Sequence, residues 1–249
     1  MLLLMNFDFG FWDWMLLAAV TLQSAALAYL YHPKWKALVI SLPVPFTMAA
    51  LAVGQPINAT NVAGVALWFV FMHGVRILYQ QWRWPILPAI VVMALVYSFT
   101  ALALIRVIPV SGIAFWLAMA LLAPLVLWVH TRMPHRSEPG HRTPLPLWIK
   151  LPLIMGVILV LLILKKQLQG FMTVFPMVSV IAVYEARHSL YTMCRQVPIA
   201  VVTLLTMFII IRLLEPVIGL HLTMIPCWIA CLLLLVAFTR WQWGKDYAD

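Results

Sequence analysis

The sequence predicts an all-α polytopic membrane protein with about nine transmembrane helices, and three observations predict it. Hydrophobic residues fill 65% of the 249 positions and charged residues only 9%, where a soluble domain carries roughly 25% charge to keep its surface wet; mean hydropathy is +1.02. Segments such as Val157–Leu164 and Cys231–Ala237 are apolar on every face, whereas a membrane strand alternates apolar and polar residues. In lipid a backbone must satisfy itself, which an uninterrupted apolar run does only as a helix. The third observation is the placement of basic residues, taken up once the spans are in place.

Apolar windows of about 17 to 23 residues, cut by Pro, Gly or charge clusters, divide the chain. The first span, 12–31, opens on Trp12 and Trp14 and carries Gln23 and Ser24 at midplane depth. Met1–Asp13 holds acids where a cleavable signal needs a basic stretch, so the first helix is expected to stay in the mature protein. The second span, 36–53, is interrupted by Pro43 and Pro45; the third, 62–80, ends on FMHGVRIL. The fourth, 86–106, follows Trp82, Trp84 and Pro85, and the fifth is 111–130. The segment Thr131–Pro146 is the only sizeable hydrophilic stretch, and its Pro, Gly and charge mark a solvated linker. Beyond it lie spans at 147–164, 169–186, 196–214 and 220–240. The domain organisation is thus an N-terminal bundle at 1–130, a cytoplasmic linker at 131–146 and a C-terminal bundle at 147–249.

Loops on the cytoplasmic side are enriched in Lys and Arg. With the amino end outside, Lys34, Lys36, Arg76, Arg83, Arg132, Arg136, Arg142, Lys150, Arg187, Arg195, Arg240 and Lys245 lie inside, against Arg106, Lys165, Lys166 and Arg212 outside. A span missed or invented near the middle would send every later loop to the wrong side. The expected location is a bacterial inner membrane, crossed many times, with the carboxyl end cytoplasmic. Trp12, Trp14, Trp35, Trp82, Trp84, Trp148, Trp241 and Trp243 sit at span ends, where amphipathic rings anchor in the headgroup region. The formal charge of +9 then follows from orientation, and membrane lipids are its partner. No soluble basic domain exists to bind nucleic acid.

Span two, LVISLPVPFTMAALAVG, and span seven, GFMTVFPMVSVIAVYEAR, share a pattern: proline interrupts an apolar helix, and a small hydroxyl residue follows within three positions. Pro45 aligns with Pro176, and the next spans end alike, with Arg76 opposite Arg212 in the alignment. If spans one to four match spans six to nine, span five is a connector and the halves have inverted topology, as in many secondary transporters. Coincidence among Leu, Val and Ile is the alternative.

The stretch Leu168–Leu214, with its GFMTVFPMVSVIAVYEA core, resembles the small GlpM-type bacterial inner-membrane proteins and related families, which have been compared with halves of drug/metabolite-type transporters. The likeness covers about a fifth of the chain and rests on a Phe-Pro and small-residue pattern without a catalytic signature. It implies a duplicated-transporter architecture and names no substrate.

Ionisable groups at membrane depth are costly, which makes each a functional candidate. Glu185, closing span seven, is the candidate proton-coupling carboxylate; its rival role is a local pair with Arg187 or His188. His73 and Arg76 share a helical face and fit an anionic substrate, or else an interfacial His beside a snorkelling Arg. The candidate substrate site is the broken segment Pro43, Pro45, Phe46 and Thr47 with its counterpart Pro176 and Ser179. Each proline removes an amide donor and frees a carbonyl on the preceding turn; a packing kink is the rival. Gln23 and Ser24 line a cavity or hydrogen-bond between helices.

Cys227 and Cys231 lie four apart on one face, with no His or Met gathered beside them in sequence, and read as buried small residues rather than a soft-metal site. The chain has no GxSxG, no HExxH, no phosphate loop and no paired carboxylates for magnesium. No catalytic residue, cofactor or metal is assigned. The expected function is a secondary carrier of a small polar or amphipathic molecule working by alternating access, with proton coupling and a homodimer left open. The alternative is a membrane-embedded enzyme or assembly factor for envelope lipid or polysaccharide, whose His and Arg residues converge at the cytoplasmic face.

Overall fold

The structure, a computed structural model, describes residues 10–133, 136, 138–142, 146, 149, 152, 155–156 and 169–245. Among these residues every regular element is helical. Helix α1, Phe11–Tyr29, ends just before Pro33, which takes the first position of α2, Pro33–Ile40. Proline is at home there, because the first helical amide has no intrahelical acceptor to lose. Pro43 then opens α3, Val44–Val53, which stops at Gly54 in a left-handed conformation (φ 62°). Helix α4, Ala59–Arg76, is capped by Asn58, whose side chain accepts from the Thr60 amide at 2.8 Å while Asn61 reaches back to the Asn58 amide at 2.8 Å. It continues through a π-helical turn, Ile77–Gln81. Helices α5, Ile86–Ile105, and α6, Gly112–Arg132, follow, the latter capped by the Ser111 hydroxyl.

After the linker, a 3-10 turn at Gln169–Val174 leads into α7, Met177–Glu185, and then α8, Leu190–Lys245. A straight helix of 56 residues would run about 84 Å at ~1.5 Å per residue, far more than the ~30 Å of a hydrocarbon core. Gly219, at φ 76° and ψ 160°, breaks it. The Cys227 thiol donates to the Met207 carbonyl (3.7 Å) and Gln196 Nε2 to Thr239 Oγ1 (2.9 Å), pairing residues from opposite sides of the break in a constant antiparallel register. The arms 190–218 and 220–245 therefore run antiparallel as a hairpin.

Six helices of the described residues are long and apolar enough to cross a membrane: Phe11–Tyr29, Pro33–Val53, Ala59–Gln81, Ile86–Ile105, Gly112–Arg132 and Leu190–Gly244. Their limits lie within a few residues of the expected spans, except that the eighth and ninth are joined through Gly219; the expected seventh, 169–186, is not among the six, because Pro176 divides it into a 3-10 turn and the nine-residue α7. The sixth expected span, 147–164, lies almost wholly outside the described residues. The outer faces are apolar and open: Val91, Leu95 and Phe99 on α5, Ile113, Leu117 and Leu121 on α6, and Leu222, Ile225 and Ile229 on α8 are all exposed. An apolar surface of this extent belongs in lipid, so the chain is a helical membrane protein.

Helix α4 is the hub, packed on α5, α6, α8 and the 3-10 turn; α6 leans on both α4 and α8. Contacts sort the loops into two ends. At one, Arg142 lies 4.4 Å from the Tyr29 ring, Lys34 is 5.8 Å from the Trp243 ring, and Arg76 and Arg136 both stack on Tyr191. At the other, Trp12 meets His221 at 5.6 Å, and Arg212 donates to the Ile57 carbonyl at 3.0 Å beside the Phe115 ring. Arg76 and Arg212, aligned in sequence, thus sit at opposite ends.

Candidate functional site

Two spans of this bundle are broken at proline, and they meet near those breaks. In the first, Pro43 and Pro45 cannot donate to the carbonyls of Val39 and Ser41, four residues back. Gln23 of α1 fills part of that gap: its Nε2 donates to the Val39 carbonyl at 2.7 Å and to the Leu42 carbonyl at 3.3 Å. Gln23 is therefore a helix-to-helix clamp on the break. Its Oε1, together with Thr21 Oγ1 and Ser24 Oγ on the same helix, is buried with no hydrogen-bond partner.

The second break falls at Phe175 and Pro176, between the 3-10 turn and α7. It is held by one face of α4, through Asn61, Gly64 and Trp68, spaced as one helical stripe. Asn61 Nδ2 donates to Thr173 Oγ1 at 2.9 Å and Trp68 Nε1 to Ser179 Oγ at 2.7 Å. Between them Gly64 lets the backbones close: a Cβ there would stand 3.3 Å from Phe171 Cα. From α5, the Tyr97 hydroxyl donates to the Phe171 carbonyl at 2.8 Å.

The hydroxyls beyond the two breaks receive the same kind of donor. Thr47 Oγ1 accepts from Trp228 Nε1 at 3.1 Å and donates to the Pro43 carbonyl at 2.9 Å, as Ser179 accepts from Trp68. Both hydroxyl residues are buried. Between the breaks lies a void of about 50 Å³, lined by Pro43, Pro45, Phe46, Pro176 and Ser179 together with Trp68. Of the residues expected to form the substrate site, these are the ones the fold gathers; Thr47 and Gln23 brace the first break from behind.

His73 and Arg76 lie elsewhere, toward the end of α4. The His73 ring packs on Phe69 at 4.3 Å, and its Nε2 is buried without a partner; Arg76 stacks on Tyr191 at 5.5 Å. Glu185 is buried at the end of α7, and its backbone carbonyl accepts from Lys36 Nζ at 2.8 Å. Arg187 donates to the Tyr184 carbonyl and lies 3.0 Å from His141 Nε2. Lys36, expected as an inside loop charge, is only 1% exposed. Its ammonium ties α2 to α7 and, through the His141 carbonyl at 2.8 Å, to the linker. His141 sits 4.3 Å from the His188 ring, and desolvation with the charges of Arg187, His188 and Lys36 holds its pKa below 6.5, against a smaller opposing pull from Glu185.

A second and larger cavity, about 540 Å³, opens at the basic end. Lys34, Arg136, Arg195 and His32 line it with Gln196, Gln242 and the Trp35–Trp243 pair, whose rings meet edge to face at 5.6 Å. Its carboxylate, Glu138, accepts from the amides of Tyr191 (3.2 Å) and Thr192 (2.6 Å) at the start of α8 and from the Thr192 hydroxyl. Sequence reasoning treated the Lys and Arg residues as topology markers and passed over Glu138 and Gln242. Glu138 is the one acid of the hydrophilic linker, a signal that was there to use; nothing local marks Gln242. Among the described residues no group of three or more His, Cys, Asp or Glu is placed to hold a metal ion. Neither a protein-family comparison nor searches of curated proteins and solved structures matches this chain.

Proposed function

We propose that the chain is a secondary carrier in which the two broken spans form the moving crossing and the basin at the basic end is the vestibule through which a small polar molecule reaches it. The observation that carries this reading is the meeting of two proline-broken helices around one void, each with a buried hydroxyl beyond its break held by a tryptophan indole. Breaks of this kind place backbone polar groups at membrane depth only where protein or a cavity receives them, and paired breaks mark the binding region of inverted-repeat carriers. The finer architecture belongs to the same proposal: nine spans, spans one to four related to six to nine by an axis in the membrane plane, a bacterial inner membrane, amino end outside and carboxyl end cytoplasmic. It agrees with the GlpM-type and drug/metabolite-transporter-like resemblance of Leu168–Leu214. The opposite placement of Arg76 and Arg212 supports it, as does the contact of α6 with both α4 and α8.

The test is counterflow in proteoliposomes loaded with a labelled small polar solute and diluted into the same unlabelled solute. A carrier predicts saturable, solute-dependent exchange; flux that rises linearly without saturation, or none for any solute tried, contradicts it. In this reading Glu185 carries the coupling proton. Glu185→Gln keeps shape and removes titration, so gradient-driven accumulation is lost while exchange persists; accumulation unchanged by the substitution assigns Glu185 to a structural role beside Lys36.

A second reading is favoured by one specific observation. The large cavity lies at the basic end with His32, Arg136 and Arg195 around it, the arrangement an envelope-lipid enzyme or assembly factor would use on a phosphorylated or acyl donor. Product formation without net flux would select it.

A further inference from the structure

The described residues of the linker are tied down at the basic end by contacts to α1, α2 and α8. The Arg136 guanidinium stacks on the Tyr191 ring at 4.6 Å and Arg142 on the Tyr29 ring at 4.4 Å. Gly140 lies so close to Tyr31 that a Cβ there would stand 2.5 Å from the ring. The His141 carbonyl accepts from Lys36 Nζ of α2. Glu138 makes the strongest attachment: one oxygen accepts from the Tyr191 amide at 3.2 Å, the other from the Thr192 amide at 2.6 Å and the Thr192 hydroxyl at 2.8 Å. First-turn amides have no acceptor within their own helix, and a carboxylate suits the positive end of the helix dipole.

Two features make this attachment reversible. None of the described linker residues, Arg136 and Glu138–Arg142, is buried, so little apolar contact is lost when the segment lifts, and segments held in that way open at low cost. One of the contacts also depends on a titratable ring. Arg187 Nη2 lies 3.0 Å from His141 Nε2; a guanidinium only donates, so the ring nitrogen accepts and the docked ring is neutral. A proton on Nε2 removes that acceptor and sets a cation beside Arg187. The charged groups around the ring are Arg187 and His188 from the turn after α7, Lys36 from α2 and Glu185 at the end of α7. With the docked pKa held below 6.5, chiefly by desolvation, the released ring takes the proton first as pH falls below 6.5, so docking is complete at neutral pH and weakens in acid.

We infer that the linker segment Glu138–Arg142 is an acid-released latch on the basin: Glu138 seated on the first turn of α8 closes it, and protonation of His141 lets it go. Arg136 and Glu138 both line the basin, so lifting the segment takes away part of its wall. The latch does not depend on the carrier reading, because a basin that served an enzyme would be gated in the same way.

The test is hydrogen–deuterium exchange on the purified full-length chain in detergent micelles, with rates corrected for the intrinsic effect of pH. The Tyr191 and Thr192 amides are the readout, since Glu138 is their acceptor. In the unsubstituted chain they should be protected at about pH 7.5 and lose protection at least about threefold by about pH 5, across the histidine range. Glu138→Gln should cost about tenfold in protection at both pH values, as loss of a charge-assisted bond does, while amides within α4 keep theirs and show that the fold is intact. Arg142→Gln, a milder change at an exposed position, should cost about two- to threefold through the lost ring contact. His141→Gln should make protection the same at both pH values. Free exchange of the Tyr191 and Thr192 amides at neutral pH in the unsubstituted chain, no acid response there, protection indifferent to Glu138→Gln and Arg142→Gln, or an acid response undiminished by His141→Gln overturns the latch.

Discussion

The crossing of the broken spans and the basin both draw lining residues from α2 and α8, yet they differ in almost every physical property. On α2, Ala37 faces the basin and Ile40 the crossing; on α8, Gln196 faces the basin and Leu204 the crossing. One turn of α2 separates a charged cavity of about 540 Å³ from an apolar void of about 50 Å³. At the crossing, the Val39 carbonyl and the hydroxyls of Ser179 and Thr47 have found protein partners in Gln23, Trp68 and Trp228. Each region keeps a buried acceptor without a donor, Gln23 Oε1 beside the crossing and Gln242 Oε1 at the basin. The contrast teaches that the crossing is drawn together by side-chain bonds, while the basin is the roomier and more charged space. Lys36, on the same helix α2, fastens it to α7 through the Glu185 carbonyl.

The largest expected effect comes from cutting that tie. Lys36→Met removes two charge-assisted bonds, to the carbonyls of Glu185 and His141, and should destabilise the fold by about 3 kcal/mol. Titration with denaturing detergent in mixed micelles measures this; a change below about 0.5 kcal/mol, the range of ordinary surface substitutions, would mean that α2 and α7 are not fastened there.

Next come the indole clamps. Trp68→Phe and Trp228→Phe each delete one N–H donor while keeping most of the ring, at about 1 kcal/mol each. If the two breaks are equivalent, the losses should match within about half of that. A large loss at Trp68 with none at Trp228 would make the crossing one-sided and count against related halves.

The smallest effect concerns the linker. The folded pKa of His141 is depressed below 6.5 by desolvation and by Arg187, His188 and Lys36 around it, partly offset by Glu185. Above pH 6.5 the ring is neutral whether docked or released. As pH falls below 6.5 the released form takes the proton first, so docking weakens until pH passes the folded value. Titration of the His141 ring followed by NMR, assigned with His141→Gln, should show a midpoint below 6.5; one at or above it would contradict the packing of His141 against these cations.

Much of this was legible in the sequence. Helix type and the limits of most spans followed from apolar runs, and the two proline breaks were visible because Pro43, Pro45 and Pro176 interrupt runs that nothing else interrupts. That the breaks would meet rested on the alignment of Pro45 with Pro176, a local pattern with a long-range consequence. What stayed hidden was pairing between distant residues. Gln23 reads as a generic polar residue until α1 lies against the break, and Lys36 reads as a loop charge until the linker folds over it. The basin was missed for the same reason: Lys34, Arg136, Arg195 and Gln242 come from four separate parts of the chain.

The most direct measurement of the central claim is two-sided labelling of Ser179→Cys in a chain whose Cys194, Cys227 and Cys231 are replaced by Ala, using a thiol reagent that cannot cross the membrane. A crossing that alternates predicts reaction from both faces, each at its own rate, with a transported solute shifting the balance between them. Reaction from one face only, or from neither, at every solute condition would contradict it and leave the broken helices as static packing.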